Sequence, residues 1–174
     1  MNTSPDRIRR RLLGLIPAGL ALGLLPGRTL LAAANAGSVA PTGPDGDIDW
    51  AALTEDQWRA RLTEAEFRIL RDEGTERAGS SPLDAEKRTG TYACAGCALP
   101  LFSSETKYDS GTGWPSFWAP LDDAVETKRD FKLFLPRTEY HCRRCKGHQG
   151  HLFSDGPEPT GKRWCNNGLA LDFV

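Results

Sequence analysis

"TEYHCRRCKGHQGHLF", residues 138–153, decides how the second half of the chain folds. TEYHC alternates in the manner of a strand, and HLF reads as the start of another. Between them, Cys142-Arg143-Arg144-Cys145 forms a turn that sets two thiols on one side. The same device lies upstream, where the strand-like TYAC of residues 91–94 runs into Cys94-Ala95-Gly96-Cys97. Gly96 and the small Ala95 are expected to ease that turn. Forty-four residues separate Cys97 from Cys142. Two C-x-x-C turns at the tips of neighbouring hairpins would bring four thiolates to tetrahedral corners, the donor set that zinc prefers. Four protein sulfurs leave no open position, so such an ion would be structural. Two structural disulfides, or a redox-active C-x-x-C, are the other readings of these cysteines.

Outward from this segment, DFKLFLP (130–136) and LALDFV (169–174) also read as short strands, separated by Gly, Pro and Asp. Towards the N-terminus the pattern becomes helical. Thr54 with Gln57 fits a capping box ahead of Trp58 and Leu62, and Thr63 with Glu66 fits a second ahead of Phe67 and Leu70. GTERAGSSPLD (74–84) is a loop by composition. The composite is a short helical start followed by a largely antiparallel β domain.

The first residues read differently. Arg7, Arg9, Arg10 and Arg11 precede an apolar run from Leu12 to Leu25, and Ala34-Asn35-Ala36 offers a small-residue cleavage pattern. That order is the order of a secretory signal. The run is too short and too rich in Gly and Pro for a membrane span. RRRLL (9–13) resembles the twin-arginine signal, which exports folded proteins. Residues 1–36 are therefore expected to be an export signal, 37–53 a flexible segment rich in Gly, Pro and Asp, and 54–174 one domain. Export would place the protein in the periplasm or cell envelope. Cleavage after Ala36 takes 36 of 174 residues and leaves 138. It takes five Arg and one Asp from 22 basic and 23 acidic residues, leaving 17 against 22, a net charge of −5. That balance argues against an electrostatic nucleic-acid binder and against attraction to an anionic membrane.

With four cysteines assigned to zinc, Cys165 has no partner. It sits in GKRWCNN (161–167) among Lys162, Arg163, Asn166 and Asn167, a setting unlike a core. On a strand, Arg163, Cys165 and Asn167 share a face, and Arg163 is expected to lower the thiol pKa. His148 and His151 form H-x-x-H, a weak metal signal without a third ligand. Cys165 lies 14 positions after His151, room for a hairpin that sets the two side by side. A histidine there could give a proton to an oxygen leaving a substrate. In DSGTGWPSFW (109–118), Gly111, Gly113 and Pro115 fix a tight loop, while Trp114, Phe117 and Trp118 form either a lid on the core or a pocket for a methyl or thioether group.

Taken together, CAGC (94–97), LFSS (101–104), KYDSGTGWPSF (107–117), CRRC (142–145), HQGHLFSDGP (148–157) and TGKRWCNN (160–167) resemble the methionine-R-sulfoxide reductases, the B class. The resemblance extends over about residues 54–173. It implies a mainly β, tent-like fold of two small antiparallel sheets with short N-terminal helices. It implies one structural zinc on Cys94, Cys97, Cys142 and Cys145, and attack by Cys165 on the sulfur of methionine R-sulfoxide, free or in proteins. His148 and His151 would bind or protonate the oxygen. Asp155, Arg163 and Asn167 would orient the site, and Trp114, Phe117 and Phe153 would hold the substrate. A monomer without stable membrane insertion is expected. Thr112 stands where many relatives carry a resolving cysteine, so an external thiol, small or thioredoxin-like, would have to clear the Cys165 sulfenic acid. Gln149, Trp164 and Asn166 also depart from the pattern, and are expected to bear on substrate fit. A zinc-ribbon-like binding module without catalysis is the alternative; it leaves Cys165 and the histidines idle.

Overall fold

The computed structural model describes residues 47–131 and 136–174. The export signal expected at 1–36, most of the segment expected to be flexible, and the middle of DFKLFLP lie outside those residues. Residues 47–53, the described part of the segment expected to be flexible, pack against the domain. Trp50 packs on Trp58 with ring centroids 6.1 Å apart, and Leu53 is buried in the core. The packed chain thus begins before Thr54, because two large apolar side chains find the helical layer beside them.

Both capping boxes form. Thr54 and Gln57 open α1 (Glu55–Arg59), and Thr63 and Glu66 open α2 (Glu64–Leu70). In each box the threonine hydroxyl accepts from the backbone N–H three residues on, and that residue's side chain accepts from the threonine N–H. Helices this short have little stability alone. Trp58, Phe67, Ile69 and Leu70 bury their inner faces instead.

Nine strands follow among the described residues: β1 (Thr91–Cys94), β2 (Pro100–Ser103), β3 (Lys107–Tyr108), β4 (Ser116–Phe117), β5 (Val125–Asp130), β6 (Arg137–Cys142), β7 (His148–Phe153), β8 (Arg163–Asn166) and β9 (Leu171–Phe173). They form two antiparallel sheets, ordered β2-β1-β9 and β3-β4-β8-β7-β6-β5. TYAC is β1, and TEYHC and HLF fall in β6 and β7. β5 ends at Asp130, the first residue of the strand expected at 130–136, whose middle lies outside the described residues.

A chain of aromatic contacts joins the sheets. Phe117 stacks on Phe102 at 4.2 Å and meets Tyr92 edge-on at 4.9 Å; Tyr140 meets Phe102 at 6.1 Å and Trp164 at 5.0 Å. Each ring comes from a different strand, and full burial of each contributes about 2–3 kcal/mol. Trp164, one of the departures expected to affect substrate fit, thus faces the core.

Candidate active site and metal centre

The two C-x-x-C turns share one backbone pattern. Cys94 N–H donates to Leu99 O at 2.9 Å and Ala98 N–H to Cys94 O at 2.7 Å; Cys142 N–H donates to Gly147 O and Lys146 N–H to Cys142 O, both at 2.9 Å. The left-handed residue follows the second cysteine each time, at Ala98 (φ 56°) and Lys146 (φ 58°). Gly96, expected to ease the turn, does not carry that conformation. The first turn joins β1 to β2 and the second joins β6 to β7, so each sheet offers one hairpin tip. All four sulfurs are buried and lie within 4.8 Å of one another. Sγ atoms approach across the hairpins, Cys94 to Cys145 at 3.6 Å and Cys97 to Cys142 at 3.5 Å. All five cysteines are free thiols. Four convergent soft donors without a disulfide can hold a metal ion.

Cys165 occupies the middle of the larger sheet. It pairs with Ser116 of β4 on one side and His151 of β7 on the other. Directly paired residues point to the same face, so Cys165 and His151 stand side by side. Two residues away, Arg163 pairs with Phe153 and its guanidinium lies 4.2 Å over that ring. Arg163 also grips the exposed Asp155 with two hydrogen bonds of 2.8 Å.

His148 reaches this face through an irregularity. In a regular strand, residues three apart point to opposite faces. β7 bulges: Tyr140 pairs with Gly150 and His141 with His148, leaving Gln149 unpaired. Gln149 and Gly150 therefore both turn inward, and the rings of His148 and His151 lie 5.5 Å apart on the outer face. Buried His148 contacts the Glu139 carboxylate through Nδ1 at 2.9 Å, and His151 Nε2 contacts that of Asp130 at 2.9 Å. Asp130 also takes a bond of 2.7 Å from Arg137.

Two loops cover the sulfur. Gly113, at φ 85°, lies so close to its neighbour that a Cβ would sit 2.8 Å from Gly79 N; Gly79 N–H donates to Gly113 O at 2.7 Å. The glycine is needed for both reasons. This contact presents Trp114, whose indole N–H donates to Glu76 O at 3.2 Å. Thr75, Trp114, Arg137, His151, Phe153 and Cys165 line a cavity of about 120 Å³. Phe117 does not line it. Ser116 points to the site and Phe117 to the core, so the substrate contact expected of Phe117 is corrected: it is a packing residue. Asn167 reaches the cavity wall, its Oδ1 accepting from Glu76 N–H at 3.0 Å and its Nδ2 donating to Gln149 O at 3.0 Å.

Burial pushes the Cys165 thiol up, against the charge of Arg163 and hydrogen bonds from Thr112 and Arg163 that pull it down. Arg163 thus acts in the direction expected from sequence, but desolvation wins. The Thr112 hydroxyl, in the place where a resolving cysteine was missing, holds the sulfur. It is itself held by Ser110 at 2.8 Å, which bonds Ser116 at 2.8 Å. Burial lowers His151 below its ordinary value although Asp130 raises it.

Sequence reading did not find Glu139, Asp130, Arg137 or Glu76. The first three lie beside the site only through the pairing of β5, β6 and β7. Glu76 lies in a loop with no local signal for burial, yet its carboxylate accepts from Gly168 N–H at 2.5 Å and Leu169 N–H at 3.2 Å.

Residues 62–174 match the SelR domain. The chain is 50% identical over 122 residues to "Peptide methionine sulfoxide reductase MsrB" of Pseudomonas putida (strain W619), covering 69% of this chain and 91% of that protein. It is 48% identical over 121 residues to the MsrB of Leptospira interrogans serogroup Icterohaemorrhagiae serovar Lai, covering 69% and 92%. "Peptide methionine sulfoxide reductase B1, chloroplastic" of Arabidopsis thaliana is 48% identical over 124 residues, covering 71% of this chain and 61% of that protein. The chain spans about six-tenths of the length of that plant relative. With a domain match over most of its length and identity near one half to curated relatives, this chain belongs to the SelR-domain family of peptide methionine sulfoxide reductases B.

Proposed function

We propose that this protein reduces methionine (R)-sulfoxide, free or within oxidised proteins, using Cys165 as the only catalytic thiol. The observation that carries the reading is the direct pairing of Cys165 with His151 beneath Trp114 and Phe153. An indole and a phenyl ring suit the S-methyl group, and a thiol beside an imidazole suits the polar S=O. The Cys165 thiolate attacks the sulfoxide sulfur while the oxygen takes a proton, for which His151 is the placed donor. Oxygen passes to the enzyme: methionine leaves and Cys165 becomes a sulfenic acid. A thiol from solution then displaces hydroxide as water, forming a mixed disulfide, and a second thiol releases Cys165. Phe153, Arg163 and Asp155 position the thiolate's surroundings, while His148 backs His151 from the Glu139 side. Asn167 holds the turn after β8.

The four-sulfur cluster fits zinc, held by Cys94, Cys97, Cys142 and Cys145. It would supply a structural cross-link between the two hairpins. The basic, apolar and small-residue order of residues 1–36 supports export to the cell envelope by the twin-arginine route, with zinc loaded before export and the protein acting there as a monomer.

The test is turnover of the separated R and S epimers with excess dithiothreitol, wild type beside Cys165→Ser. Turnover of R alone, lost in the variant, supports the proposal. No turnover of either epimer by folded, metal-loaded protein defeats it and favours the binding-module reading.

The pH profile gives a second test. Attack needs the Cys165 thiolate, which grows as pH rises through a raised thiol pKa. Proton transfer needs the His151 imidazolium, which is lost as pH rises through a lowered pKa. The fraction carrying both is small but greatest between the two values. kcat/KM is therefore expected to be bell-shaped, its acid limb below the ordinary histidine value of 6.5 and its alkaline limb above the ordinary thiol value of 9.0. His151→Gln is expected to remove the alkaline limb, leaving a rate that rises with thiolate alone. An alkaline limb that persists in this variant assigns the proton to another group.

A further inference from the structure

Gln149 and Asn166, two positions where this chain departs from the pattern it resembles, touch each other. Both are completely buried. The Gln149 amide donates from Nε2 to Cys94 Sγ at 3.4 Å, and its Oε1 accepts from Asn166 Nδ2 at 3.3 Å. Asn166 Nδ2 also donates to Asn167 O at 2.8 Å, and its Oδ1 accepts from the buried Tyr140 hydroxyl at 2.6 Å. The orientation of both amides follows from chemistry. A metal-bound thiolate can only accept, so Gln149 must turn its NH₂ to sulfur and its oxygen to Asn166.

An amide in a core is costly unless its polar atoms are paired. Here both ends are used, one of them on a sulfur of the four-cysteine cluster. We propose that Gln149 is an outer partner of the metal centre, aimed by Asn166, and that it slows loss of the ion by holding the Cys94 sulfur in place among the four donors. This inference rests on the metal reading above. The N–H···S bond fixes the direction of the sulfur and withdraws charge from it, which makes it a poorer target for oxidants and keeps it on the ion. An apolar residue at 149 packs but offers no donor. The β7 bulge makes the contact possible, since it turns Gln149 inward beside Gly150.

The test measures zinc release from the full-length, zinc-loaded protein into excess chromogenic chelator, with the unfolding midpoint recorded for each variant. Gln149→Met keeps length and volume and removes the donor. It is expected to release zinc about tenfold faster, the low end of what loss of such a partner does to metal affinity. Asn166→Val is expected to give a smaller increase, because Gln149 remains but is no longer aimed. Since Asn166 acts through Gln149, the double variant should release zinc no faster than Gln149→Met. Adding Tyr140→Phe to the double variant removes the last orphaned polar group, which keeps a folded protein available. Release from Gln149→Met at the wild-type rate overturns the proposal. So do increases that multiply in the double variant, or rates that simply follow the unfolding midpoints. A wild-type protein that binds no zinc at all refutes the metal reading itself, a result distinct from these.

Discussion

Gly150→Ala is expected to lower kcat/KM by more than a hundredfold and stability by about 3 kcal/mol, the upper range for an overpacked core. A Cβ at this position would stand 1.9 Å from the carbonyl oxygen of Cys165 and 3.0 Å from its carbonyl carbon. Both atoms are backbone, so no rotamer relieves the clash. β7 and β8 must separate, and the pairing of His151 with Cys165 is what they hold. Denaturant unfolding and single-turnover reduction of the R epimer on the folded fraction report the two effects separately. A variant with wild-type single-turnover rate would show that the chemistry does not depend on this pairing.

Glu76→Ala should be the largest purely structural loss. Its buried carboxylate accepts from two backbone N–H groups, at Gly168 and Leu169, and its removal leaves both without a partner. Bonds to a charged acceptor contribute about 1.5–3 kcal/mol each, so a loss of about 3–5 kcal/mol is expected. For a domain of this size that lowers Tm by about 10–20 °C. Thermal unfolding measures it, with Glu76→Gln as the companion that keeps one acceptor and retains part of the stability. A loss below about 1 kcal/mol would mean that water replaces the carboxylate at this turn. Because Glu76 O also receives the Trp114 indole, the alanine variant keeps that backbone bond and should bind substrate normally while folded.

Features whose signal is local were legible in the sequence. The capping boxes at Thr54 and Thr63 need only the identity of a residue three positions on. The cysteine turns announce themselves by spacing, and the 14 positions from His151 to Cys165 fit a hairpin that pairs them in register. What needed a partner strand was hidden. Ser116 and Phe117 are neighbours on a two-residue strand, and nothing local says which one faces the core. β5, VETKRD, carries no apolar alternation to mark it as a strand, because it is an edge strand with most side chains exposed, and charge on an edge discourages unwanted pairing. The bulge at Gln149 reverses the face on which His148 falls, which alternation cannot anticipate. Arg163 was read correctly as a cation beside Cys165, yet the direction of the thiol's shift came from burial, a property of the whole fold.

The pairing of β7 with β8 has a further consequence. Cys165 and the His151 imidazole are separated by one inter-strand step, about 4.8 Å between backbones. That interval is set by the sheet's own ladder rather than by packing of the walls around it. Lining residues such as Thr75 and Trp114 come from other segments of the chain. They can be exchanged to suit a loose peptide, a folded protein surface or a single amino acid without moving the reacting pair. The reaction and the choice of substrate are thus carried by separate parts, and one can be altered while the other stands still.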